Sequence, residues 1–271
     1  MTELVYIGGY GRSGSTLLET LLTARPDILA CGEIAACLHV EVRRPCTCGE
    51  TCSDCELWGA FYKDPGKLRG WTHESLVLDL LEKASGRYRF LVDSSKTAWG
   101  SFFAPFKLRR NLGDGVHLIH VVRDPRGVSW STLGALWKRR LEQSNPLFHY
   151  PKKMLRILWT TMGWWVANAS CEIFAWRFPK QALRVRYEDL IDSPKDVLDG
   201  IFAWLAPNES RPHVEIDTVG NRHQLHGNEG RRRISSIDDV HADIRWRNEM
   251  PAGQRRIASA LTWPLRLRYG Y

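Results

Sequence analysis

No run of eighteen or more apolar residues occurs in the 271-residue chain, which argues against a membrane span. The richest hydrophobic stretch, Met154 to Trp176, is interrupted by Arg156, Asn168 and Glu172. The first residues lack the basic-then-apolar order of a secretory leader, so a cytoplasmic protein is the expectation. Internal repeats, low-complexity tracts and long Pro/Ser/Gly linkers are missing as well, and one domain over residues 1–271 is expected. A hydrophobic fraction of 44% excludes disordered and fibrous classes.

Acidic residues are in deficit: 38 Lys and Arg against 30 Asp and Glu leave a net charge of +8. That balance suits an anionic partner, whether nucleic acid, an acidic membrane surface or a phosphorylated small molecule. Only motifs can choose among these.

Leu4 to Ile7 reads as a buried strand ended by Gly8-Gly9, and Ser15 to Ala24 has helical spacing with Leu17, Leu18, Leu21 and Leu22 on one face. Residues 40–70 are polar, Cys-, Gly- and Pro-rich, the composition of an insertion. Ser75 to Ala84 is amphipathic, and Tyr88 to Val92 reads as a second strand. Val116 to Val122 is the clearest strand, followed by a helix from Pro125. Lys152 to Arg177 is helical, Ala182 to Val185 a further strand, and Pro194 to Trp204 a further helix. Alternating strands and helices predict an α/β, P-loop-like, three-layer fold, its mostly parallel sheet flanked by helices.

Gly9-Tyr10-Gly11-Arg12-Ser13-Gly14-Ser15-Thr16 lies between the first strand and the first helix. Glycines permit tight turns, and a helix N-terminus offers unpaired N–H groups and partial positive charge, together a cradle for an anion. The spacing copies the Walker A loop except that Ser15 stands where its lysine belongs. Loss of that cation counts against an NTPase or kinase, and Arg12 brings a charge from inside the loop instead. A second candidate follows the Val116–Val122 strand. Arg123 ends it, where ligands gather in α/β sheets, and Ser131 falls two turns into the next helix. Guanidinium plus hydroxyl makes a phosphate clamp. A surface arginine beside an ordinary helix start is the alternative.

Arg12-Ser13-Gly14-Ser15-Thr16-Leu17 resembles the 5′-phosphosulfate loop of sulfotransferases that use 3′-phosphoadenylyl sulfate (PAPS). It is more like the tyrosylprotein and bacterial small-molecule branches than the cytosolic one, which has Lys at the place of Arg12 and Trp at that of Leu17. The resemblance implies that Arg12, Ser13, Gly14, Ser15, Thr16 and Leu17 hold the 5′-phosphate and that Arg123 and Ser131 hold the 3′-phosphate. Tyr187, in Arg186-Tyr187-Glu188-Asp189, matches the family's tyrosine beside the adenine, with a core role as the alternative. Arg231, in a late loop, either completes the 3′-phosphate site or belongs to a solvated basic patch with Arg232 and Arg233.

Pro26-Asp27 to Cys31-Gly32-Glu33 is similar to the tyrosylprotein branch, which implies Glu33 as general base, with His39 as the alternative. Lys96, at the end of Val92-Asp93-Ser94-Ser95-Lys96, matches the family's lysine that reaches a bridging oxygen, and Arg12 shares the charge stabilisation. The expected donor is PAPS, the product adenosine 3′,5′-bisphosphate, and the acceptor a hydroxyl on a small molecule or carbohydrate. No carboxylate pair suggests a magnesium site, and this chemistry requires no metal.

Seven cysteines remain, four of them in Cys46-Thr-Cys48-Gly-Glu-Thr-Cys52-Ser-Asp-Cys55. Four thiolates within ten residues suffice for a tetrahedral zinc, but the spacing is tighter than in two-knuckle sites. Free thiols or a local disulfide are the other readings. A zinc-bearing nucleic-acid binder would need basic and aromatic residues interleaved around the cluster. Residues 40–70 are nearly balanced in charge, and no nucleic-acid partner is expected.

Overall fold

The computed structural model describes residues 2–38, 45–64, 68–98, 101–140, 149–208, 221–232, 237 and 240–271, with backbone alone for 135–140, 149–153, 229 and 231. Five strands form one wholly parallel sheet: β1 (Glu3–Gly8), β2 (Ile28–Ala30), β3 (Phe90–Asp93), β4 (Val116–Val122) and β5 (Ala182–Arg186). Their order is β2-β3-β1-β4-β5, so the chain moves to one side of β1 first and to the other later.

Alternation along β1 explains the three layers. Leu4 and Tyr6 face one core with Leu29, Leu91 and Leu118, while Val5 and Ile7 face the other with Leu18, Leu22, Val92 and Ile119. Both faces of the sheet are therefore covered, as parallel sheets require. Each fully buried Leu or Val contributes about 1.5–3 kcal/mol. Helices α1 (Ser15–Leu22) and α8 (Pro194–Leu205) lie over the second face. The insertion, α3 (His73–Ala84), α4 (Ala104–Leu112) and part of α6 (His149–Arg177) cover the first.

Of the insertion expected over 40–70, residues 45–64 and 68–70 are described, with little regular structure beyond α2 (Gly59–Tyr62). α5 (Pro125–Arg140) starts directly after β4, and the short α7 (Tyr187–Asp192) directly after β5. After α9 (Glu229–Arg232) and α10 (Trp246–Glu249), α11 (Ala252–Arg268) closes the chain against α5 and α6. No described helix is long and apolar enough to cross a membrane.

All five strands point the same way, so their C-terminal ends share one rim. β1 delivers the glycine loop, β2 Gly32-Glu33, β3 Ser94-Ser95-Lys96, β4 Arg123 and β5 Tyr187. The strand order reverses beside β1, and in α/β sheets ligands gather at the C-terminal rim of such a reversal.

Candidate active site

The glycine loop turns through three residues in the left-handed region, the first of them Gly9 at φ +140°. Gly14 caps α1 at φ +102°, and Arg12, at φ 69°, is the one described residue other than glycine with positive φ. A Cβ on Gly14 would lie 2.5 Å from the Tyr187 ring, so glycine is required there by space and by backbone. Because Gly14 carries no side chain, no side-chain cap covers the first-turn N–H groups of α1. The loop also holds Ser13, 1% exposed, whose hydroxyl has no partner among the described residues. An orphaned buried hydroxyl beside open helix amides suits a phosphate oxygen.

Lys96 leans into the same spot. Its ammonium donates to Ser15 Oγ at 2.7 Å and to the Ser94 carbonyl at 3.1 Å, and lies 3.0 Å from Glu33 Oε1. Carboxylate, cation and glycine-loop hydroxyl thus meet at one point, although 81 residues separate Lys96 from Ser15.

Buried carboxylates hold the loops that carry this group. Asp93 Oδ1 accepts from Ser95 N–H at 2.9 Å, Ser95 Oγ at 2.5 Å and Ile34 N–H at 3.3 Å, and Oδ2 pairs with His73 Nε2 at 2.6 Å. Burial alone would lower the His73 pKa, but Asp93 outweighs it and raises it above the ordinary value. Glu19 Oε1 accepts from Gly32 N–H at 2.6 Å and Oε2 from Ser94 Oγ at 2.7 Å. Burial pushes the Glu19 carboxyl up to about 7, against the pull of those hydrogen bonds.

Arg123 is buried at the end of β4. Its Nη1 donates to the Arg12 carbonyl at 2.9 Å and Nη2 to the Asp243 carbonyl at 2.7 Å, while its guanidinium stacks 4.3 Å from the Tyr187 ring centre. The two phosphate candidates are thereby physically joined: Arg123 holds the strained residue of the glycine loop in place. Ser131 lies one turn beyond Gly127, where a Cβ would come within 3.4 Å of Arg123 Nε, so helical spacing puts it on the arginine's side of α5. Ser129, on the same helix, has a buried hydroxyl without a described partner. Tyr187 is largely buried and forms the wall under the loop, with Oη accepting from Asp243 N–H at 3.4 Å. Thr16 Oγ1 accepts from Asn228 N–H, and Leu17 is in the core. His39 and the Arg231 side chain lie outside the described residues.

The cysteine motif folds otherwise than its spacing suggests. Cys46, Cys48 and Cys55 gather around His223, and Cys52 is not part of the group. Within it Cys55 is held well below the ordinary thiol pKa by its hydrogen bonds with Cys46 and His223, while Cys46 is pushed up. Residues Glu19, Asp93, His73, Asp243 and His223 all carry weight here and were invisible as site residues in the sequence. Asp93 ends a strand and His223 lies in the late loop, but Glu19 and His73 sit in helices with nothing in the sequence to mark them.

The whole arrangement matches solved sulfotransferases in fold. The sulfotransferase domain from the curacin biosynthetic pathway is 17% identical at a TM-score of 0.58, with 97% of this chain and 98% of that chain covered. The sulfotransferase domain from the Synechococcus PCC 7002 olefin synthase gives 19%, 0.60, 99% and 94%. A mouse sulfotransferase complexed with PAP gives 14%, 0.56, 98% and 85%. At such identities the likeness is one of fold. No family model matches this chain, and no curated protein matches it.

Proposed function

We propose that this protein is a PAPS-dependent sulfotransferase that transfers a sulfuryl group to a hydroxyl of a small-molecule or carbohydrate acceptor. The convergence of Glu33, Lys96 and Ser15 at the mouth of a phosphate loop carries this reading. The shared fold and the PAP held by one similar structure support it.

In this reading the α1 amides, Ser13, Ser15 and Thr16 bind the 5′-phosphate, and Arg123 with Ser131 binds the 3′-phosphate. Arg231 is a further candidate for the latter site. Tyr187 backs the loop and Arg123, and its ring is the candidate contact for the adenine. The acceptor oxygen bonds to sulfur as the bond from sulfur to the phosphate oxygen breaks. Glu33 takes the acceptor proton, Lys96 and Arg12 balance charge on the sulfuryl and bridging oxygens, and the bisphosphate leaves. Nothing in this scheme needs a metal at the reacting centre.

Isothermal titration tests it. Adenosine 3′,5′-bisphosphate should bind far more tightly than ATP, which has no phosphate for the Arg123 side of the site. Equal affinities would overturn the assignment. A screen of hydroxyl acceptors with labelled PAPS then identifies the acceptor.

A further inference from the structure

Four ligand atoms from opposite ends of the sequence share one small volume. Cys46, Cys48 and Cys55 Sγ and a ring nitrogen of His223 all lie within 4.8 Å of one another, and Cys46, Cys55 and His223 are buried. Cys46 and Cys55 sulfurs are 3.6 Å apart, Cys48 and Cys55 sulfurs 3.8 Å. His223 Nδ1 is 3.2 Å from Cys55 Sγ and 3.9 Å from Cys46 Sγ. A tetrahedral zinc bonded to sulfur at about 2.3 Å and to nitrogen at about 2.0–2.1 Å has edges of about 3.8 Å between sulfurs and about 3.5 Å between sulfur and nitrogen. The observed separations scatter around those edges. A disulfide would need about 2.05 Å, and all seven cysteines are free thiols.

We infer that Cys46, Cys48, Cys55 and His223 form a structural zinc site. Soft thiolates with one imidazole select zinc, and four protein ligands close the coordination shell against substrate. The surrounding backbone is already set for it. Gly49, at φ +99°, turns the first knuckle, with its N–H on the Cys46 carbonyl at 3.0 Å, and Cys55 N–H bonds the Thr51 carbonyl at 2.9 Å. His223 is fixed from both sides: its N–H donates to the Ala30 carbonyl at 2.8 Å, and its own carbonyl accepts from the buried Trp58 Nε1 at 2.5 Å. The metal therefore ties the insertion to the late loop and, through Ala30, to the strand that ends three residues before Glu33.

Metal content reads this site independently of any transfer activity. Wild-type protein from zinc-replete culture should carry about one zinc per chain by mass spectrometry. X-ray absorption should show three sulfurs and one nitrogen around it. Cys52→Ser should keep the zinc, while Cys55→Ser and His223→Ala should lose it, and chelation should lower the Tm of the wild type and of Cys52→Ser alike. A wild type without stoichiometric zinc, a shell of four sulfurs, or loss of the metal in Cys52→Ser would overturn the assignment. Should the ligand variants fail to fold, the wild-type stoichiometry and absorption spectrum decide.

Discussion

Lys96 Nζ and Glu33 Oε1 stand 3.0 Å apart, so the cation assigned to the sulfuryl oxygens and the carboxylate assigned to the acceptor proton occupy one spot. Their side chains are 28% and 23% exposed, and such a pair contributes about 1 kcal/mol or less to stability. Its value is positional. Glu33→Gln should lower turnover by about 10²–10⁴-fold, the effect of a lost general base, with affinity for the bisphosphate and Tm little changed. Single-turnover kinetics beside titration calorimetry would show this split, and an unchanged rate would move the base elsewhere, His39 included.

Arg123, the proposed 3′-phosphate clamp, also holds the Arg12 carbonyl. Arg123→Ala should weaken bisphosphate binding by about 1.5–3 kcal/mol, as for a lost charged hydrogen bond. Arg123→Lys retains charge but not the fork that reaches both Arg12 and Asp243, so it should recover only part of that loss. Calorimetry on the three proteins gives the ranking.

Two glycines of one loop should differ sharply in their tolerance of a side chain. Gly14→Ala places a Cβ 2.5 Å from the Tyr187 ring at φ +102° and should cost more than about 1 kcal/mol of stability together with nucleotide affinity. Gly11→Ala meets nothing within 4 Å and has an ordinary φ, so its stability should stay near that of the wild type. Urea unfolding of both variants checks the contrast.

Glu19 gives the protein a pH signature. Its carboxyl is pushed up to about 7 when folded, against an ordinary value of 4.5. Between those values the folded chain holds a proton that the unfolded chain has released, so this contribution to stability is full below about 4.5 and is lost as pH rises through about 7. Glu19→Gln lacks the term. The stability of the wild type relative to Glu19→Gln should therefore fall across that window in denaturant titrations. Parallel curves would show that Glu19 does not titrate there.

Long strands with turn residues at their ends were the legible part of this molecule. Val116–Val122 emerges with the bounds its β-branched run predicts, and the glycine loop sits between β1 and α1 as its spacing requires. β2 escaped notice because three residues cannot display a period. α11 escaped because Pro264, which lacks an N–H and favours helix ends, lies inside it. The approach of Lys96 to Ser15 follows from parallel neighbours β3 and β1, a pairing that residue spacing cannot reveal. Of the proposed metal ligands, three of four lay within the cysteine motif. The motif offers four cysteines, yet the fourth ligand comes from His223, 168 residues beyond Cys55, and no local spacing rule reaches so far.

That distance also orders events as the chain is made. Asn221 donates through Nδ2 to the carbonyls of Thr23, Arg25 and Ile28, the first of them 198 residues earlier, and Arg222 bonds Thr23 Oγ1. Contacts of such separation form late, after the costly closure of a long loop. On the ribosome the sheet can begin from its first two hundred residues, but the strand that leads to Gly32 and Glu33 gains its bonds from Asn221 and His223 only once the last quarter of the chain has emerged. A translation product cut short before Asn221 would keep Gly32 on Glu19 and Glu33 beside Lys96 but would lack the outer support of β2.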